Sequence, residues 1–250
     1  MSQIEVSLQG YIIRDLPVVK EGDDLASMIV SRFELLDGDI LAIASTIVAK
    51  SEGRFRLLDD YKPSDRAIAL AGPLGKDPRF VQAVLDESEE ILLETPFLLS
   101  VTRFGHIGVN AGIDQSNVGE GKILLLPENP GASAERIRDD LRAKHGKDCA
   151  VMITDTCGRP FRCGVAGVAI GCAGIGALKD WRGKRDIHGR TLEITLEAVA
   201  DEVAGMANML MGEAGDGTPA AVLRGLSYPK KGDALFMPES VDIIRRHLKS

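Results

Sequence analysis

An acidic residue and a hydroxyl end one of the most apolar stretches of the chain. Residues 151–154, Val-Met-Ile-Thr, predict a buried strand, and Asp155 and Thr156 follow it directly. An ionised carboxylate at the end of a hydrophobic strand is costly to desolvate unless a partner or a cation compensates its charge. A hard divalent metal, which prefers oxygen ligands, is one such cation. The sequence therefore makes Asp155 a candidate metal ligand.

A second segment, residues 106–117, has the same character, because apolar residues lead into a loop of Asn, Asp, Gln and Ser side chains. Its acidic residue is Asp114. If both segments are strand ends, we expect their carboxylates to converge on one site. The alternative is that Asp and Asn simply favour turns, where their side chains bond nearby backbone groups. The two segments together indicate a site more strongly than either does alone.

Three further groups of residues could bind ions. Ser45, Thr46 and Lys50 supply hydroxyls and a positive charge, so Lys50 could contact a phosphate, although a solvated surface lysine is the common alternative. The loop 212–217 alternates glycine with acidic residues and is another candidate ligand segment. A basic segment could hold a polyanionic substrate or form only a solvated face. Its candidate residues are Arg159, Arg162, Lys179, Arg182 and Arg185.

No segment fits a standard nucleotide-binding loop. Residues 72–77, Gly-Pro-Leu-Gly-Lys-Asp, have too short a glycine spacing for a phosphate loop and lack its hydroxyl. Residues 155–158 resemble the D-x-x-G turn of GTPases, but no phosphate loop accompanies them. The glycine-rich run 164–176 departs from the G-x-G-x-x-G pattern. The sequence therefore argues against a P-loop fold and a Rossmann fold.

Composition limits the classes of partner. The 250 residues carry a net charge of −7, so the chain lacks the broad basic face that nucleic acids and anionic membranes require. Four cysteines without a C-x-x-C pair argue against a zinc or iron–sulfur site; we expect buried thiols and single out only Cys157, beside Asp155. With no signal-peptide pattern and no apolar run long enough to span a membrane, we expect a cytoplasmic protein.

Mixed helix and strand patterns must position these residues, and no polar linker separates two halves. Helices are expected over 23–35, 63–71, 78–86, 133–145 and 191–211, the last being the longest. Strands are expected over 40–44, 91–93, 97–103, 122–126 and 151–154. The run 164–176 should form two short strands packed closely on another backbone. We predict an α+β fold of mixed sheets and helices over 1–250, as a single domain or as two intimately joined lobes with the site between them.

Six segments carry, in their order along the chain, a resemblance to a known family. They are residues 16–25 (Leu-Pro-Val-Val-Lys-Glu-Gly-Asp-Asp-Leu), Ser45-Thr46 with Lys50, 109–117 (Val-Asn-Ala-Gly-Ile-Asp-Gln-Ser-Asn), 153–156 (Ile-Thr-Asp-Thr), 178–181 (Leu-Lys-Asp-Trp) and 211–213 (Met-Gly-Glu). These segments resemble the coenzyme F420-0:L-glutamate ligase family, also described as F420-0:gamma-glutamyl ligase. The resemblance covers nearly the whole chain, which makes it more specific than any single motif.

The resemblance implies a GTP-dependent enzyme of mixed α+β fold that forms homodimers. It would join L-glutamate to the lactyl carboxylate of coenzyme F420-0, a 5-deazaflavin, and then add a γ-linked glutamate to F420-1, releasing GDP and phosphate. Because a carboxylate is a poor acyl donor, we expect its activation as an acyl phosphate. The family uses magnesium or manganese, and a monovalent cation such as potassium is implicated.

Carried over residue by residue, the resemblance also implies a set of site positions. Around GTP they are Leu16, Pro17, Val18, Val19, Ser45, Thr46, Lys50, Asn117, Gly215 and Gly217. Around divalent metals they are Asp114, Asp155, Thr156 and Glu213. Of these, Lys50, Asp114 and Asp155 would be catalytic, whereas Cys157 need not be.

Two other interpretations stay open. A metal-dependent nucleotide phosphohydrolase would need the same acids and phosphate-binding groups but no glutamate. A nucleotide-binding regulatory module would hold a metal nucleotide without chemistry. Turnover of GTP without ligation would favour the first interpretation, and stoichiometric binding without turnover would favour the second.

Overall fold

The computed structural model describes residues 8–115, 118–213, 217–230 and 234–249. The candidate residues Asn117 and Gly215 lie outside these ranges. The chain divides into two compact units, and each unit is assembled from three separate stretches. Unit 1 is drawn from Met1–Val19, Asp23–Ala44 and Pro130–Leu235, and unit 2 from Lys20–Gly22, Ser45–Asn129 and Phe236–Ser250.

Helices and strands alternate along the chain. The strands are β1 (Gln9–Ile12), β2 (Ile40–Ala44), β3 (Phe55–Leu57), β4 (Ser88–Leu93), β5 (Leu99–Thr102), β6 (Ile107–Val109), β7 (Lys122–Leu124), β8 (Ala150–Arg159), β9 (Arg162–Ala173), β10 (Lys179–Asp180), β11 (Leu196–Glu197) and β12 (Ala220–Arg224). The helices are α1 (Leu25–Val30), α2 (Ser45–Ser51), α3 (Asp65–Leu74), α4 (Pro78–Glu87), α5 (Pro130–His145), α6 (Val199–Met211) and α7 (Ile243–Leu248).

Unit 1 is built on a five-stranded sheet in the order β1-β12-β2-β8-β9. The strands β2 and β8 are parallel neighbours, with Ala44 opposite Thr154, and the other neighbouring pairs are antiparallel. As its uninterrupted apolar run predicts, β2 is a central strand and is almost wholly buried. It follows that β1, β2 and β8 run in one direction. Residues at the carboxyl ends of β1 and β2 therefore lie beside the amino end of β12.

Helices pack closely on both faces of this sheet, and two glycines of β9 make room for them. The side chain of Met152 packs with α6 on one face. A Cβ atom on Gly167 would lie 2.5 Å from the carbonyl oxygen of Ala204 in α6, and one on Gly171 would lie 2.3 Å from the carbonyl carbon of Pro130 in α5. The predicted close approach to another backbone is confirmed, although the run forms one long strand rather than two short ones.

Replacing Gly171 with alanine should destabilise unit 1. The added methyl group would meet the Pro130 backbone rather than a flexible side chain, so we expect the free energy of unfolding to fall by about 2–3 kcal/mol. Gly158→Ala is the matched control, because its Cβ position, in the same β8–β9 hairpin, faces open space. Urea unfolding measures both variants. Equal losses in the two would contradict the close approach of strand and helix.

Unit 2 contains a three-stranded antiparallel sheet, β4-β5-β6, and a two-stranded ribbon, β3-β7. Helices α3 and α4 contribute to a core that includes Phe80, Val84 and Leu98. Both helices begin at a side-chain cap, since Ser64 accepts a hydrogen bond from the first turn of α3 and Asp77 accepts one from the first turn of α4. Unit 2 thus has its own hydrophobic core.

Most predicted elements are confirmed, and β2 coincides with its predicted range, but two helix predictions were too long. Helix α1 ends at Val30 rather than at 35, and α6 begins at Val199 rather than at 191. In the described ranges α5, with 16 residues, is longer than α6. The apolar spacing before α6 belongs to short ladders instead, in which Thr191 bridges to Arg185 and β11 pairs with β10.

The mixed and antiparallel sheets together with seven helices confirm the predicted α+β fold in the residues that the structure describes. None of the helices in this part of the chain combines the length and the apolar character that crossing a membrane requires.

Candidate functional site

Four segments that are distant in the sequence meet at one edge of the unit 1 sheet. We define this carboxyl edge by the ends of β1 and β2, the midpoint of β8 at Thr154, and residues 217–219 before β12. The register places Ala44 beside Thr154, and the Ala44 amide donates to the Pro219 carbonyl at 2.9 Å. The candidate residues of unit 1 next to these positions are Leu16, Pro17, Val18, Val19, Asp155, Thr156 and Gly217. Ser45 and Thr46 follow β2 directly in the chain but belong to unit 2.

The predicted strand end before Asp155 was wrong, because β8 continues to Arg159 by pairing with β9, and Asp155 and Thr156 lie in regular ladder positions inside the strand. Asp155 is opposite Val168 and Thr156 is opposite Gly167, so the two side chains point to opposite faces of the strand. A single ion would therefore not take oxygen atoms from both side chains. If both residues are metal ligands, either Thr156 coordinates through its backbone carbonyl or the two side chains bind different ions.

The loop between α6 and β12 is tied to the end of the helix. The buried Thr218 hydroxyl donates to the Met211 carbonyl at 2.7 Å. The exposed Glu213 accepts a hydrogen bond from the Asn208 side-chain amide at 2.8 Å. Gly217 has a φ of 66°, in the left-handed region that favours glycine, with open space around its Cβ position. These contacts fix the described ends of the candidate segment 212–217.

Two other candidates, Lys50 and Asp114, belong to unit 2. Asp114 and Leu124 exchange two backbone hydrogen bonds of 2.9 Å, which hold Asp114 in an extended position beside β7. Lys50 lies half-buried in the last turn of α2 and forms no ion pair with any residue of the described ranges. Its charge is therefore available for an anionic ligand.

A left-handed turn leads into Asp114. Asn110 and Ala111 both have a φ of 53°, and Gly112 has a φ of 67°. The left-handed region is unfavourable for residues other than glycine, and asparagine tolerates it best. Ser100 supports the turn, because its Oγ accepts a hydrogen bond from the Ala111 amide at 3.0 Å. Asn110 therefore lies in a turn, as the alternative interpretation of this segment has it, whereas Asp114 is extended.

Unit 2 also contains a cavity that the sequence did not predict. Arg54 and Glu87 form a 2.6 Å ion pair in its wall. Its other charged and apolar lining residues include Arg103, Glu128, Phe104 and Leu126. These residues come from positions spread between 54 and 128, so no local motif could have shown that they share a site.

Comparison with known proteins decides the family. The profile of the family described as F420-0:Gamma-glutamyl ligase matches residues 14–225. The chain belongs to this family. It is similar to a coenzyme F420:L-glutamate ligase of Archaeoglobus fulgidus, with 53% identity covering 97% of this chain and 98% of the relative. The coenzyme F420:L-glutamate ligase of Natronomonas pharaonis is 52% identical, over 97% of this chain and 96% of the relative. That of Methanosarcina mazei is 46% identical, over 98% of each chain.

A divalent metal stays a prediction for this F420 ligase family member. Its candidates, Asp114, Asp155, Thr156 and Glu213, all offer oxygen, which magnesium and manganese prefer. Among the described residues, no three His, Cys, Asp or Glu side chains form a group that could hold a metal ion. Magnesium is commonly bound through one or two carboxylates together with substrate phosphates. The donor set is compatible with that kind of site.

The basic candidates differ in how far acidic neighbours already neutralise them. Arg182 pairs with Asp180 at 2.7 Å and holds the pKa of that carboxyl at about 2. Lys179 lies 3.7 Å from Glu197 and 4.2 Å from the centre of the Trp181 ring. The remaining candidates are Arg159 and Arg162 in the β8–β9 hairpin and Arg185 in the following loop. Binding of an acidic substrate by this segment stays a prediction.

The cysteines of the chain should differ in reactivity. Burial raises the pKa of Cys149 to about 12 and of Cys172 to about 11, and burial together with nearby aspartates raises the pKa of Cys157. Cys163 is exposed. A raised pKa lowers the fraction of nucleophilic thiolate at a given pH. At pH 8 iodoacetamide should therefore label Cys163 about tenfold faster than it labels each of the other three cysteines. Peptide mass spectrometry can measure the four rates. Faster labelling of Cys157 would overturn this order.

Proposed function

We propose that this chain is a GTP-dependent ligase that joins L-glutamate to the lactyl carboxylate of coenzyme F420-0 and then adds a second glutamate to F420-1 through a γ-linkage. The match to relatives named coenzyme F420:L-glutamate ligase, over nearly the full length of both chains, carries the proposal. The carboxyl edge supports it, since part of the expected set belongs to it: Leu16–Val19 follow β1, and Asp155 and Thr156 follow the midpoint of β8.

The reaction needs an activated carboxyl group, because the oxygen of a free carboxylate is a poor leaving group. In the proposed mechanism the F420-0 carboxylate attacks the γ-phosphorus of GTP, which gives an acyl phosphate and GDP. The glutamate amine then attacks the acyl carbon, loses a proton and displaces phosphate. The second addition repeats these steps on the γ-carboxylate of the first glutamate.

The candidate catalytic and metal-binding residues have distinct roles in this mechanism. Lys50, which has no acidic partner in the described ranges, would neutralise the phosphates of GTP. Asp114, Asp155, Thr156 and Glu213 would hold magnesium or manganese, which supplies charge neutralisation and alignment when bound. We propose potassium as a further cation and a homodimer as the assembly, which light scattering would test.

Mass spectrometry of F420-0 tests the proposal directly. The protein is incubated with F420-0, GTP, L-glutamate, manganese and potassium, and each component is omitted in turn. Glutamyl adducts of F420 that require GTP, glutamate and the divalent metal would support the ligase. Loss of GTP without an adduct would support a hydrolase instead, and binding of GTP without turnover would support a regulatory module.

A further inference from the structure

The cavity of unit 2 presents guanidinium groups that still have hydrogen bonds to give. The Arg54 side chain is only 13% exposed and donates to Glu87 at 2.6 Å and to the Leu126 carbonyl at 2.9 Å. Arg103 donates one bond, to the Asp86 carbonyl at 2.7 Å. Because a guanidinium carries five N–H donors, both arginines retain donors for a carboxylate ligand.

The same cavity offers a negative charge without a partner. Glu128 is exposed and forms neither an ion pair nor a side-chain hydrogen bond within the described ranges. Phe104 and Leu126 add apolar surface to the lining. A ligand that satisfies this lining carries a carboxylate, an ammonium group and a short aliphatic chain. An acidic α-amino acid has all three.

The cavity lies close to the candidate metal ligand Asp114 by two separate paths within unit 2. Ala111, which contributes to the lining, precedes Asp114 by three residues, so their Cα atoms are at most ~11 Å apart. Leu126 lies two residues beyond Leu124, which exchanges both backbone hydrogen bonds with Asp114. A molecule in the cavity is therefore near a residue that we propose to hold the divalent metal.

The cavity lining is also held in a fixed backbone conformation at Ala111. Ala111 has a left-handed φ, a conformation that costs a non-glycine residue about 1–2 kcal/mol and persists only where the surroundings enforce it. The hydrogen bond from its amide to Ser100 is part of that enforcement. Such strained positions cluster at binding and active sites, where a fixed wall reduces the ordering cost of binding.

We propose that this cavity binds L-glutamate, the amine substrate, with Arg103 and Arg54 on its carboxylates and Glu128 on its ammonium group. The inference rests on the proposed function, because that function supplies a reason for an amino acid to bind near Asp114. It assigns glutamate a binding site built from residues of unit 2 alone.

Kinetics of charge-neutralised variants test this assignment. Arg103→Gln and Glu128→Gln should each raise the KM for L-glutamate about tenfold or more, because a charge-assisted hydrogen bond is lost, while the KM values for GTP and F420-0 stay within about twofold. Arg66→Gln and Glu94→Gln are matched controls, since these two residues form a 3.0 Å pair on the exposed surface of the same unit. The controls should leave all three KM values unchanged.

Glutarate separates the roles of the two charges, because it has both carboxylates of glutamate but no amine. As an inhibitor competing with glutamate, glutarate should bind Arg103→Gln more weakly than wild type. It should bind Glu128→Gln as well as wild type or better, since a repulsive carboxylate is gone. Parallel weakening of glutamate and glutarate in Glu128→Gln would overturn the assigned orientation.

Failure of the cavity assignment and failure of the ligase function give different results. If the wild type ligates glutamate but both cavity variants keep its KM, the assignment is wrong and the function stands. If the wild type forms no adduct, calorimetric titration with L-glutamate decides the cavity alone. If wild type binds L-glutamate and Arg103→Gln does not, the result would support the site. If wild type does not bind L-glutamate, the result would overturn it.

Discussion

Asp155→Asn should reduce glutamate ligation by about a hundredfold or more while unit 1 stays folded. The substitution keeps the size of the side chain but removes the negative charge at the carboxyl edge that we assign to a divalent metal. Metal-dependent charge stabilisation supplies several kcal/mol of a phosphoryl-transfer barrier, and each 1.4 kcal/mol corresponds to a factor of ten in rate. Asp114→Asn should have an effect of the same kind.

Stability distinguishes a functional role of Asp155 from a structural one. Asp201 supplies a second negative charge in this neighbourhood, since both Asp155 and Asp201 raise the pKa of the Cys157 thiol. Removing one charge should relieve repulsion, so we expect a melting temperature equal to or slightly above that of wild type without metal. Asp139→Asn, on the exposed surface of α5 in the same unit, is the matched control for charge. Full ligation by Asp155→Asn with normal metal dependence would refute the metal assignment.

The sequence predicted the elements whose causes are local. An uninterrupted apolar run is enough to predict β2, and proline near the first turn marks the starts of α3 and α4. It did not predict that α6 begins at Val199, because the preceding apolar residues share the helical spacing and only pairing between β10 and β11 excludes a helix there. Strand pairing decides where α6 begins, and the spacing of the apolar residues alone does not predict that position.

The residues of the candidate sites also divide into those that the local sequence identifies and those that only the fold brings together. Asp155 could be found from sequence because a carboxylate directly after an apolar run is energetically unusual, although β8 continues past it to Arg159. The cavity residues Arg54, Arg103 and Glu128 could not, since each is an ordinary charged residue and only the fold of unit 2 gathers them. The opposite orientation of the Asp155 and Thr156 side chains also became apparent only from the ladder register.

A buried ion pair makes Arg224 the position where we expect the largest loss of stability. Asp39 is 1% exposed and precedes β2, and Arg224 at the end of β12 binds it through two hydrogen bonds of 2.8 Å. The second Asp39 oxygen also accepts the Leu36 amide at 2.8 Å. Arg224→Met would leave this carboxylate buried without its counter-ion. Such a loss costs about 3–5 kcal/mol of unfolding free energy.

A second substitution identifies the uncompensated charge as the cause. Asp39→Asn retains an acceptor for the Leu36 amide but carries no charge, so the double variant Asp39→Asn/Arg224→Met should recover much of the loss measured by urea unfolding for Arg224→Met alone. Arg66→Met, which breaks a pair exposed to solvent, should cost at most about 1 kcal/mol. If Arg224→Met cost no more than Arg66→Met, the pair would not be needed to join β12 to β2. If the double variant were no more stable than Arg224→Met, loss of the Arg224 side-chain packing on Tyr11, rather than the uncompensated charge of Asp39, would be the dominant contribution.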